Sequence, residues 1–252
     1  MNGEMYQICS IVSAAKKAIQ SGEPIQYTPA AYENSTAFSF RPEKKLFRVK
    51  TCTAPDVPSW FNHIRNEGLQ DIMLLCPISV KDKHLLGFSN TTGAGMVCFF
   101  KGCLVTCFTA DWQFDSQEKR WNVLYSEWEW RDPPREKPRF QSNLEPFKKT
   151  LQDIRDLAVE IECEYFADIF ESARRLLTGE DKNYSLQLPI PRENLPLLEA
   201  ASRADVFGAM GSWNDSPPYM AHEKGLDGEY ERLSEELLRN IRLAVLYAVN
   251  EW

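Results

Sequence analysis

The side chains of this 252-residue chain best suited to nucleophilic, acid–base or metal chemistry are His63, His84 and His222, together with Cys9, Cys52, Cys76, Cys98, Cys103, Cys107 and Cys163. Their spacing builds none of the familiar catalytic signatures: GxSxG, HExxH, GxxxxGK(S/T) and GxGxxG are all missing. Three histidines cannot make a His-rich metal centre, whereas a Cys–His pair needs its members close only in space and is not decided by spacing. The cysteines sit in apolar segments without CxxC, where thiols behave as small buried hydrophobes, and their odd number reads as reduced thiols rather than disulfides. Cys98, Cys103 and Cys107 fall on one face of the hairpin expected below. Zinc wants four tetrahedral ligands, and their neighbours on that face are Met96, Phe100 and Val105. The sequence gives no reason to expect a metal or a cofactor.

Carboxylates are the more informative group. Residues 157–173 contain Glu160, Glu162, Glu164, Asp168 and Glu171 without one Lys or Arg. Glu160, Glu164, Asp168 and Glu171 are spaced by four, four and three, which lines them along one face of a helix. Like-charge neighbours at that spacing cost about 0.2–0.5 kcal/mol each, so a solvated face explains them, and a docking surface for a basic partner is the functional alternative. A di-iron carboxylate cluster would need Glu-x-x-His pairs, and this stretch has no histidine.

Residues 207–227 (FGAMGSWNDSPPYMAHEKGLD) form a second candidate region. Gly208 and Gly211 allow close backbone approach, Trp213, Pro217, Pro218 and Tyr219 supply rigid amphipathic surface, and Asn214, Asp215 and His222 add polar groups. Such a mixture suits an interface anchor or a pocket rim; the alternative is a plain connection between two antiparallel helices whose Trp213 and Tyr219 plug the sheet layer. Trp128, Trp130 and Arg131 make a third candidate surface, with one tryptophan facing solvent.

The elements that must position these residues follow from periodicity. Apolar steps of three and four place a first helix over Met5 to Ile19, ended by Gly22 and Pro24. Short strands are expected at 35–40 and 46–53, separated by the turn-like 41–44, then a short helix at 59–67 and a strand at 71–80 buried on both faces. The segment 96–108 reads as a hairpin with Lys101 and Gly102 as its two loop residues, pairing Phe100 with Cys103 and Cys98 with Val105, and apolar on both faces. An aromatic hairpin follows, setting Trp112 and Phe114 opposite Trp121, Val123 and Tyr125. The proline-rich basic stretch 131–139 reads as a linker. Beyond it, 144–177 reads as one long helix or two joined by a kink, with Tyr165 in its apolar stripe, followed by helices at 192–207 and 229–249. Strands first and helices second imply an α+β fold: a mainly antiparallel sheet with an N-terminal helix, then a helical half packed on or beside it. The expected organisation is a sheet-rich part at 1–130, a linker at 131–141 and an acidic helical part at 142–252.

The apolar and charged fractions, 43% and 26%, are those of a globular chain, and the formal net charge is -7. Before residue 140 the chain holds 17 Lys+Arg against 15 Asp+Glu, and after it 12 against 21, so the parts carry +2 and -9. The excess belongs to the helical half, where it disfavours nucleic acid and anionic membrane and favours encounter with a basic protein. No apolar run of about 18 residues exists, and the two lysines at 16 and 17 follow the first apolar positions rather than preceding them, so a cytoplasmic location is expected. The functional expectation is a cytoplasmic, non-enzymatic interaction protein that engages a basic partner through Glu160, Glu164, Asp168 and Glu171 and through the loop residues Trp213, Asn214, Asp215, Tyr219 and His222. An inhibitor or immunity-type protein is one concrete form. The alternative is a hydrolase-type enzyme with its site between sheet and helices around Asp215 and His222. A smaller possibility is a nucleotide or small-ligand module at the linker and the turn Asn90-Thr91-Thr92-Gly93.

Overall fold

The computed structural model describes residues 1–45, 48–50, 52–80, 83–134 and 136–252. The chain divides into two compact units, each assembled from separate stretches: Gln7–Leu75 with Gly93–Pro138, and Met1–Tyr6 with Cys76–Thr92 and Arg139–Trp252. The architecture is α+β, with a six-stranded mixed sheet and an N-terminal helix in the first half and mostly helices in the second.

The first unit contains most of helix α1 (Gly3–Ser21), strands β1 (Glu33–Ser39), β2 (Glu43–Lys45), β3 (Arg48–Lys50) and β4 (Thr53–Ala54), helix α2 (Val57–Asn66), and strands β5 (Leu69–Leu75), β6 (Gly95–Phe100), β7 (Val105–Asp115) and β8 (Arg120–Glu129). The sheet runs β4-β1-β8-β7-β6-β5, and every neighbouring pair is antiparallel except β1 with β8. One face carries Phe38, Phe108 and Tyr125. Trp60 of α2 stacks on Phe38 at 4.7 Å between ring centroids and meets Phe108 edge-on at 5.7 Å. Gln7 of α1 is hydrogen-bonded to both Thr36 and Tyr125 on the same face. Helix α2 starts where Asp56 caps it, its carboxylate accepting from the Ser59 N–H at 2.7 Å, with Pro58 in the first turn.

Three expectations are corrected here. The stretch 46–53 is not one strand: β2 and β3 pair with each other as a separate ladder, the turn-like 41–44 contributes to β2, and β4 alone joins the main sheet. Leu46, Phe47 and Thr51 lie outside the described residues. The strand at 71–80 ends at Leu75, leaving 76–80 irregular; β5 is an edge strand with Ile72, Met73 and Leu74 buried.

The third correction concerns register. Phe99 pairs with Val105, Cys98 with Thr106 and Val97 with Cys107, one residue away from the expected pairing. The loop takes three residues, 101–103, with Gly102 at φ 78° and Cys103 at φ 63°, and the Phe100 N–H donates to the Leu104 carbonyl. Because side chains alternate with period two, that slip moves one strand's whole set to the other face. Cys107 therefore lies with Val97, Val105, Leu75, Phe99 and Trp130, opposite the face of Cys98, and Cys103 sits exposed in the loop. The three thiols share no face. The following aromatic hairpin has the expected register, with Phe114 opposite Trp121 and Trp112 opposite Val123.

The second unit contains α3 (Leu144–Glu160), α4 (Glu164–Thr178), α5 (Leu195–Ala204), α6 (Pro217–Glu223) and α7 (Asp227–Asn250). Helix α3 packs on α4 and α7, α5 on the same two, and α6 on α7. Leu151, Ile154, Phe170, Leu198, Leu237, Ile241 and Val245 are buried in the resulting core. Of the two forms expected for 144–177, the structure has the second: two helices joined by Ile161, Glu162 and Cys163. Cys163 N–H donates to Ala158 O at 2.7 Å and Glu162 N–H to Val159 O at 3.1 Å, the two bonds of a Schellman motif. Glu162, at φ 58°, occupies the left-handed position where glycine usually stands.

Candidate functional site

The helix break redistributes the acidic face. Glu160 is the last residue of α3, while Glu164 and Asp168 are exposed on the first turns of α4, so the four carboxylates do not form one continuous helical row. Glu171 is half-buried and chelated by Arg174, with nitrogen–oxygen distances of 2.8 and 2.7 Å, and this holds its carboxyl below the usual carboxylate range. Glu162, from the same acidic run, pairs with Lys224 at 2.6 Å. Its carboxyl is lowered by the hydrogen bond and charge of that ammonium, and the lysine is correspondingly raised.

Lys224 follows α6, so the ion pair ties the acidic turn to the 207–227 region. A second tie is aromatic: Trp213 meets Phe166 and Phe170 of α4 edge-on, each at 5.2 Å, and stacks on Tyr230 of α7 at 5.3 Å. The structure thus brings two regions about fifty residues apart in sequence to the same end of the helical unit.

Individual loop residues take roles different from one another. Trp213 is fully buried and donates its indole N–H to Ser234 at 2.8 Å, which makes it a core plug rather than an exposed anchor. Asn214 donates to the Lys83 carbonyl at 2.9 Å, and Asp215 accepts from the Gly211 N–H at 2.8 Å, so both shape the loop. The close backbone approach expected of Gly208 occurs against Gly87: a Cβ on Gly87 would lie 2.3 Å from the Ala209 nitrogen. Tyr219 is exposed at 63%. His222 Nδ1 lies 2.9 Å from Asp227 Oδ1 on the surface, so its carboxylate partner is Asp227 and not Asp215.

Exposed apolar groups complete this end of the unit. Val159 at the end of α3 and Tyr165 at the start of α4 are 50% and 71% exposed. Periodicity placed Tyr165 in a buried stripe, but the break at 161–163 rephases the helix and turns it outward. The signal that could have found it is an aromatic residue embedded in an acidic run, flanked by Glu164. What the arrangement can do chemically is non-covalent: apolar side chains beside carboxylates offer desolvation and attraction to cationic, apolar segments.

The remaining candidates are placed elsewhere. The turn at 90–92 is held by a carboxylate of its own unit, Glu4, which accepts from the Asn90 N–H at 2.6 Å and the Thr92 hydroxyl at 2.9 Å. Trp128 is half-exposed on β8, while Trp130 packs on the Val97–Val105–Cys107 cluster. Cys98 and Cys107 are pushed above the ordinary thiol range by burial, the latter to about 11. Among the described residues no group of three or more His, Cys, Asp and Glu side chains could hold a metal ion, and no helix is long and apolar enough to cross a membrane. Comparison of the chain with protein-family models, with curated proteins and with solved structures finds no match.

Proposed function

We propose that the protein is a non-enzymatic interaction module that binds a basic, partly apolar segment of another protein at the end of its helical unit formed by the α3–α4 turn and α6. What supports this reading is the exposure of Val159 and Tyr165 beside Glu160, Glu164 and Asp168 at the α3–α4 turn, with exposed Tyr219 on α6, the helix whose end the Lys224–Glu162 pair ties to that turn. Tyrosines contribute large rigid area at low entropic cost, and surrounding carboxylates steer a cationic partner and fix its register. The net -9 of the residues after 139 extends the same field over the unit. An inhibitor or immunity-type protein against a basic enzyme is one form such a module takes, and it rests on charge complementarity alone.

The test is an amide NMR titration with a short peptide of alternating arginine and tryptophan, beside its glutamate-for-arginine counterpart. The expected result is saturable shifts at 159–168 and 219–224 for the basic peptide only, weakened by salt and by Glu160→Lys with Glu164→Lys. Binding that survives the double charge reversal, or shifts confined to other surfaces, would overturn the reading.

A further inference from the structure

The sheet unit contains a cavity of about 380 Å³ walled by the segment after α1, the start of β1 and the start of α2. That volume falls within the range of small-molecule sites. Its wall includes Glu33, which is only 5% exposed. Carboxylates that deeply buried almost always face a cation. Glu33 instead accepts from three neutral donors: the Tyr27 hydroxyl, 2.9 and 2.7 Å from its two oxygens, the Ala30 N–H at 2.9 Å and the Thr36 hydroxyl at 2.9 Å. These three donors occupy three of the carboxylate's roughly four acceptor sites and bring no positive charge, and no cation among the described residues pairs with it.

The polar network behind Glu33 is directional. Tyr125 donates to Gln7, Gln7 to Thr36, and Thr36 to Glu33, so three successive hydrogen bonds run from the core toward this one carboxylate at the cavity wall. Burial and the Glu33 charge both push the Tyr27 hydroxyl upward, which keeps it a neutral donor. A second carboxylate, Asp56, also lines the cavity, and one of its oxygens is engaged by the Ser59 N–H. The lining contains no Lys, Arg or His; Pro29, Pro55, Val57 and Pro58 make its apolar part.

We propose that this cavity binds a small organic ammonium, its positive charge set between Glu33 and Asp56 and its hydrocarbon part against Pro29, Pro55 and Val57. The charge of the ligand balances a buried charge that the fold leaves unbalanced, and the proline wall excludes water from one side of it. The proposal concerns the sheet unit alone and is independent of the docking surface on the helices.

Benzylamine, its neutral isostere benzyl alcohol and calcium chloride are suitable probes, titrated into the full chain at pH 7 with amide NMR as the readout. Benzylamine is expected to bind saturably with Kd on the order of 1 mM or below, shifting the amides of 27–36 and 56–57. Benzyl alcohol, and benzylamine with Glu33→Gln, are expected to bind at least roughly tenfold more weakly. Because Glu33→Gln removes a buried acceptor and threatens the fold, Asp56→Asn is the second variant: asparagine caps a helix as well as aspartate, so α2 is kept while the rim charge is lost, and benzylamine affinity should again fall. Equal binding of amine and alcohol, affinity unchanged in Asp56→Asn and Glu33→Gln, saturation by calcium but not by the amine, or no saturable binding would each overturn the proposal.

Discussion

Trp213→Ala separates a core plug from a surface anchor by magnitude. The indole is fully buried, contacts three aromatic rings at 5.2, 5.2 and 5.3 Å, and donates to Ser234 at 2.8 Å. Truncating a buried tryptophan costs about 3–5 kcal/mol, each aromatic pair about 0.5–1.5 kcal/mol beyond its area, and the lost hydrogen bond about 1 kcal/mol. These contributions overlap, so a loss of about 4–5 kcal/mol is expected, a large share of the roughly 5–15 kcal/mol stability of a typical domain. Trp213→Phe, which keeps a ring but removes the indole donor to the buried Ser234 hydroxyl, should lose about 1–3 kcal/mol. Trp128→Ala, on a half-exposed residue, should change stability by less than about 0.5 kcal/mol. Urea unfolding followed by circular dichroism measures the losses. Native-state hydrogen exchange localises them to α4 and α7, which matters because a chain with two units need not unfold in one step. A loss below about 1 kcal/mol for Trp213→Ala, or one equal to that of Trp128→Ala, would refute the reasoning that this residue holds the loop to the helices.

Two further consequences concern the same unit. Lys224→Met should return the Glu162 carboxyl toward its ordinary value, read by carboxyl carbon NMR titration, since the lysine is what lowers it. The sign is that of a depressed acid: the pair's contribution is present above the unfolded glutamate pKa of about 4.3 and fades as pH falls through the lower folded value, and in Lys224→Met that pH dependence disappears. Gly87→Ala should destabilise by about 1–3 kcal/mol or displace the 207–213 loop, because the added methyl would meet backbone atoms at 2.3 and 2.7 Å that no rotamer change can move; unchanged thermal stability with unshifted loop amides would count against that contact.

Period and punctuation were enough for much of the fold. The first helix was legible because its apolar steps end at Gly22 and Pro24, α2 because Pro58 and Gly68 bracket it, and the aromatic hairpin because its strands alternate. One error and one undecided point arose where a local rule had two solutions. Lys101-Gly102 fits a two-residue loop, but the three-residue loop that forms puts Cys103 in a left-handed conformation that sequence does not advertise for cysteine. The α3–α4 break is left open between one helix and two for a similar reason: its capping position holds Glu162 and not glycine.

The candidate site divides along the same line. Amino-acid order by itself determined the α+β division, the acidic character of the helical half and the two regions that deserved attention, because charge and periodicity are properties of the string. Tertiary structure alone decided that Trp213 faces inward and Tyr165 outward, that Lys224 neutralises Glu162, and that His222 meets Asp227. It alone placed Glu33 in a cavity with Asp56, since a pocket is made by segments distant in sequence. Burial, pairing and electrostatic balance depend on distances through space, and those exist only once the chain has closed on itself.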